Sequence, residues 1–174
     1  TRASPVAGTS NNCNREDHPM IKQSDILGAW QLESWTIGYS DRDDFTNPFG
    51  DEPSGLLMYT GDGWMSAAIC APDRTPLPED IPYMKLPEAV KSEAFSSYFH
   101  YAGRFRIVDG DVIHYVTHSL NPNMVGTEQL RHAELDGHTL VLSGQDTIGE
   151  IQRFHSLVWH KIPDLATEIP VEAG

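Results

Sequence analysis

The chain has 174 residues, 39% hydrophobic and 21% charged, values that fit one globular domain with a buried core and exclude wholesale disorder. Its 12 Lys+Arg stand against 25 Asp+Glu, a net charge of −13, and the basic residues are scattered singly. That balance argues against nucleic acid and against anionic membrane surfaces as partners, and no apolar run approaches the ~18 residues of a membrane-spanning helix.

Residues 1–22 are polar and read as a flexible arm, with the folded domain over 23–163 and a short tail over 164–174. SDILGAW reads as a short turn capped by Ser24 or Asp25, leading into the strand QLESWTIGYS. DRDDFTNPFGDEPSG is loop. GLLMYT and WMSAAIC form a hairpin around Gly61-Asp62-Gly63, because Asp-Gly supplies the positive φ that tight hairpin turns require. APDRTPLPEDIPYMKLP is too rich in proline for a sheet and reads as a long covering loop. Val90, Phe95 and Phe99 then predict one helix over residues 87–99, with Pro87 in its first turn.

Regular alternation follows: GRFRIV, DVIHYVTH, the loop SLNPNMVG, TEQLRHAEL, HTLVLSG and EIQRFHSLVWHKI. Asp-Gly turns at 62–63, 109–110 and 136–137 link six strands in pairs. The expectation is an all-β protein: about eight antiparallel strands in a meander with one short helix, closed into a barrel that hides its edges and has room for a small ligand.

Five stretches carry a resemblance. GAWQLESW is similar to the G-x-W opening strand of lipocalin and calycin barrels. GLLMYTGDGWMSAAI, YFHYAGRF, SLNPNMVGTEQLR and LDGHTLVL, in that order, resemble the lipocalin-like domain family over about residues 26–162. The resemblance implies a barrel with an internal cavity. It does not imply one reaction. Related barrels are carriers, and others are cofactor-free cyclases of natural-product pathways, pericyclic (Diels-Alderase-type) ones included.

Alternation assigns faces, subject to bulges. Arg104 and Arg106 facing water put Tyr101, Gly103, Phe105 and Ile107 inside. The strand DVIHYVTH divides into Val112, His114, Val116, His118 and Ile113, Tyr115, Thr117, neither set cleanly polar, as expected beside a partly polar cavity. TEQLRHAEL places Arg131 inside with Gln129 and Ala133. An internal arginine needs a partner. One reading has Arg131 or Arg153 stacked on Trp30 to close the barrel floor.

A histidine in an apolar barrel can move a proton near neutral pH without a cofactor. The candidate catalytic residues are therefore His114, His118, His155 and Tyr101, set against the plainer reading of each histidine as structural. Candidate ligand-binding residues are Tyr59, Trp64, Phe105, Tyr115, Asn121, Glu128 and Arg131, although most aromatic residues serve the core. No metal site is expected: His114 and His118 lie about 13 Å apart along a strand at ~3.3 Å per residue, and only a cross-strand set of His114, His132 and His155 is conceivable. No nucleophile elbow, Walker loop or G-x-G-x-x-G occurs, so no cofactor is expected.

The leading expectation is a cofactor-independent cyclase, dehydratase or isomerase of secondary metabolism acting on a hydrophobic natural-product intermediate. The alternative is a non-catalytic carrier of a small lipophilic ligand, and a third reading is an interaction domain with a filled barrel. A homodimer is compatible with the sequence. The compartment, cytoplasmic or secreted after N-terminal processing, and the pairing of Cys13 with Cys70 stay open.

Overall fold

The computed structural model describes residues 20–163; the expected arm over 1–19, Cys13 within it, and the tail over 164–174 lie outside the described residues. Nine strands form one antiparallel sheet: β1 (Gly28–Tyr39), β2 (Arg42–Thr46), β3 (Ser54–Tyr59), β4 (Trp64–Cys70), β5 (Tyr98–Val108), β6 (Asp111–Ser119), β7 (Glu128–Asp136), β8 (Thr139–Ile148) and β9 (Ile151–Lys161). Eight of them follow one another around a barrel from β1 and β3 to β9, and β9 pairs back onto β1 from Trp30↔Lys161 to Tyr39↔Arg153. The expected closed meander is present. Residues Asp109 (φ 52°) and Gly110 (φ 88°) make the β5–β6 turn, both with the positive φ that a tight primed turn demands.

The extra strand, β2, falls where the sequence reads as loop. All five of its residues are exposed, and it pairs only with the far end of β1. Side chains hold this short hairpin: Arg42 lies 3.6 Å over the Tyr39 ring, and the Tyr39 and Thr46 hydroxyls share a hydrogen bond of 2.6 Å.

The helix α1 (Gln23–Ile26) starts from Lys22, not Ser24 or Asp25; the Asp25 carboxylate instead accepts from the Lys22 N–H at 2.8 Å. It covers the barrel base. Ile26 is fully buried and its carbonyl accepts from Trp30 Nε1 at 2.8 Å. Neither arginine stacks on Trp30. Lys161 takes that place, its ammonium 4.7 Å from the ring centroid and bonded to the Leu27 carbonyl.

Between β4 and β5 the proline-rich segment stays outside the sheet, as its missing N–H groups require. The helix α2 runs over Glu88–Ser96, shorter than the predicted 87–99. Phe99 belongs to β5 and Phe95 is exposed, so the spacing of Val90, Phe95 and Phe99 spans two elements. Arg74 and Thr75 tie the proline-rich loop to α2 through the Ala94 carbonyl and the Glu93 carboxylate.

Inward positions follow the alternation closely. Met65, Ala67 and Ile69 of β4 are buried, as are Tyr101, Gly103 and Phe105 of β5, Val112, His114 and Val116 of β6, and Leu140 and Leu142 of β8. One break matters. The β5–β6 register jumps between Ala102↔His118 and Gly103↔Val116, leaving Thr117 as an extra residue. Such a bulge reverses the facing of everything beyond it. Gly103 permits it: a Cβ there would sit 1.9 Å from the Tyr115 carbonyl oxygen.

Candidate functional site

The base of the barrel is filled by Trp30, Tyr59, Phe105 and Val112, while the other half is hollow. A cavity of about 370 Å³ runs to a mouth at Pro48, Asn121 and Met124. Its wall is mainly apolar, with Trp35, Leu57, Ile69, Phe99, Leu142, Leu157 and Trp159 from six strands. Polar groups are few: Tyr101, Gln129, Arg131, Gln145, Asp146, Arg153 and His155. A concave, largely apolar wall with a handful of placed polar groups is the general form of a small-molecule site.

Behind Tyr101 lies a buried chain of three rings. His114 of β6 has no exposed surface and sits between two phenols: Tyr59 Oη is 2.7 Å from Nε2, and Tyr101 Oη is 2.9 Å from Nδ1. Burial, and then the charge of Arg131, push the His114 pKa down to about 3, so the ring is neutral at ordinary pH. Burial raises Tyr59 well above the usual phenol range, with Tyr101 adding to it and Arg131 opposing it. Tyr101 is raised by burial and pulled back by Arg131.

Arg131 of β7 is partly buried on the cavity wall; it pairs with Val112, two residues along the register from the Gln129↔His114 pair. The guanidinium donates to the Leu130 carbonyl at 2.9 Å, and among the described residues it forms no ion pair with a carboxylate. It lies against Gly144 of β8, where a Cβ would stand 2.6 Å from Nη1.

Nearer the mouth, Asp146 is held by Arg153, whose Nε donates to Oδ1 at 2.7 Å. That bond holds the Asp146 carboxyl below its ordinary pKa, against burial and helped by His155. His155 accepts from Trp35 Nε1 through Nδ1 at 3.2 Å, which leaves the proton of the neutral ring on Nε2. Nε2 lies 3.4 Å from Asp146 Oδ2, near enough for attraction but poorly aimed, and it has no hydrogen-bond partner among the described residues. Burial lowers the His155 pKa, with Asp146 opposing. Trp159 Nε1 is also buried without a partner among those residues.

The structure brings together Tyr59, Tyr101, Phe105, His114 and Arg131 in the interior, with Asn121 and His155 on the cavity wall. It separates four others. His118 lies beyond the bulge and faces outward, its Nδ1 on the Thr117 hydroxyl. Trp64 alternates with buried Met65 and so points outward, under the Arg104 guanidinium at 4.7 Å. Tyr115 is 43% exposed on the outer face of β6. Glu128 is also outside, paired with Arg106 at 2.8 Å. His132 sits on the same outer side with Asp111, so His114, His132 and His155 do not converge.

Asp146, Gln145 and Trp159 also line the cavity, beyond the candidates that the sequence offers. The parity of HTLVLSGQDT continues Leu140 and Leu142 into Gly144 and Asp146, and that signal could have found Asp146. The tight turn Ile148↔Ile151 that extends β8 carries no Asp-Gly pair.

A closed, hollow antiparallel barrel with one helix over its base and a polar-spotted apolar interior defines the class. The family described as lipocalin-like domain matches residues 27–162, and the chain belongs to it. It is similar to the 4'-hydroxy-3'-methoxypropiophenone carrier protein ppsC of Aspergillus oryzae, 32% identical over 111 residues, which span 58% of this chain and 99% of that protein.

Proposed function

We propose that the protein binds a small, largely apolar organic molecule inside the barrel and serves as its carrier. The observation that carries this reading is the hollow of about 370 Å³, apolar along most of its wall and open at one end. A filled interaction domain would have no such space. The similar protein's name supplies a ligand class, a compact aromatic ketone with phenolic oxygen. Such a ligand suits a wall that combines aliphatic and aromatic side chains with a few hydrogen-bond donors.

Titration with 4'-hydroxy-3'-methoxypropiophenone and with the fluorescent lipophile N-phenyl-1-naphthylamine tests the reading. Saturable one-site binding, weakened when Ala67 on the cavity wall is enlarged by Ala67→Met, is expected. Absence of saturable binding of either compound refutes it.

A second reading is favoured by the Tyr59–His114–Tyr101 chain: a cofactor-independent cyclase, dehydratase or isomerase for a hydrophobic intermediate. Tyr101 would donate a hydrogen bond to a carbonyl or phenol oxygen, and the orientation of a folded conformer would lower the barrier. Incubation with polyene or phenolic precursors tests it. In Tyr101→Phe, turnover lost with affinity kept supports catalysis, whereas the absence of any accelerated product in the unaltered protein leaves the carrier.

A further inference from the structure

The buried ring chain has a hydrogen too many. A neutral imidazole carries one N–H and one bare nitrogen, yet both its nitrogens face phenols. One phenol therefore donates to the ring, and the other accepts from it and keeps its own O–H for something else. Tyr59 is sealed in the base, and His114 is the one hydrogen-bond partner of its hydroxyl among the described residues. A spare O–H there would be buried and unpaired, at a cost of about 1–3 kcal/mol. Tyr101 borders the cavity. The low-energy arrangement runs from Tyr59 O–H to Nε2, and from Nδ1–H to the Tyr101 oxygen, which leaves the Tyr101 O–H directed at the cavity.

Arg131 shares that wall. Its charge acts on Tyr59 from β3, Tyr101 from β5, His114 from β6 and His155 from β9. The carboxylate on the cavity wall, Asp146 from β8, is engaged by Arg153. The hollow thus holds two guanidiniums and one carboxylate inside a chain whose net charge is −13. A positive charge facing an apolar space without a counter-charge is costly, and an anionic oxygen from the ligand removes that cost.

We propose that Arg131 and Tyr101 form an anion-recognition pair on the cavity wall, so that the ligand is a compact apolar molecule with one acidic oxygen, bound as its anion. His114 is the positioning residue that turns the Tyr101 hydroxyl toward the ligand. This rests on the cavity-binding reading above and adds to it the charge state and the recognised group. The acidic oxygen can come from a phenol or enol, or from a carboxylate.

Three probes of one shape separate the outcomes: 4-nitroanisole, which cannot ionise, 4-nitrophenol and 4-nitrobenzoate, each titrated against the intact protein. At least one of the anions is expected to bind about tenfold tighter than 4-nitroanisole. If it is the phenol, its bound absorbance titration moves down by about one pH unit, the linkage equivalent of a tenfold preference. A phenolate preference identifies a hydroxyl-bearing ligand and a benzoate preference a carboxylic acid. Arg131→Met and Tyr101→Phe are expected to abolish the preference while 4-nitroanisole affinity persists, and Arg131→Lys to restore part of it. Equal binding of all three probes by the unaltered protein overturns this inference and leaves the carrier reading intact. A preference that survives in folded Arg131→Met overturns it too. Failure of all three to bind while N-phenyl-1-naphthylamine still binds overturns this inference alone, and failure of that lipophile as well overturns both.

Discussion

Replacing His114 by glutamine tests the buried ring chain through its dependence on pH. The folded protein holds His114 at about 3, whereas the ordinary value is 6.5. Between those values the unfolded chain binds a proton that the folded one refuses, so stability falls as pH falls. The contribution is complete above pH 6.5 and is lost progressively toward pH 3. Each pH unit in that window is worth about 1.4 kcal/mol, so between pH 7.5 and 5.0 this one group removes roughly 2 kcal/mol. His114→Gln cannot titrate, yet its amide can still donate to one phenol and accept from the other. Urea unfolding at the two pH values, followed by tryptophan fluorescence, gives the difference directly. His155, His100 and Asp146 titrate in both proteins and cancel. The variant is expected to lose about 2 kcal/mol less on acidification than the unaltered chain. Identical pH dependence would refute a neutral imidazole locked between Tyr59 and Tyr101.

Further outcomes follow from packing. Gly103→Ala drives a methyl into the Tyr115 carbonyl and is expected to lower stability by several kcal/mol or to prevent folding, whereas Gly38→Ala, with nothing within 4 Å, changes a thermal melt by less than about 0.5 kcal/mol. Leu140→Ala, at a fully buried position, should cost about 2–5 kcal/mol and move the urea midpoint without altering the slope. Glu128→Gln and Tyr115→Phe, both outside the barrel, should leave N-phenyl-1-naphthylamine affinity unchanged; a marked loss in either would contradict their placement.

Much of the architecture was legible because it is written in local chemistry. Asp-Gly pairs marked three turns, and the alternation of GRFRIV set Tyr101 and Phe105 inward beside outward Arg104 and Arg106. The alternation of TEQLRHAEL turns Arg131 inward, and its side chain lines the cavity. His118 could not be placed that way, because the bulge at Thr117 depends on how closely Gly103 approaches the next strand, a contact between residues distant in sequence. Trp64 and Tyr115 face outward despite their aromatic character, because their strand neighbours Met65, His114 and Val116 occupy the interior. The strand β2 was hidden by its acidic sequence, since it is held by pairing with β1 and by side-chain contacts rather than by burial. The floor contact likewise went to Lys161 because the end of β9, not β7, lies against Trp30.

The junction of β1 with β9 also governs when the molecule can exist at all. Trp30 and Lys161 are neighbours in space but stand near opposite ends of the folded region. During synthesis, every earlier hairpin can assemble as it leaves the ribosome, yet the cylinder stays an open trough with its greasy side exposed until the final strand emerges. Slow, late zipping of this kind is the expected folding behaviour of a sheet whose decisive pairing is its longest-range one. A chain halted ahead of Ile151 would therefore be an aggregation hazard rather than a smaller version of the same container.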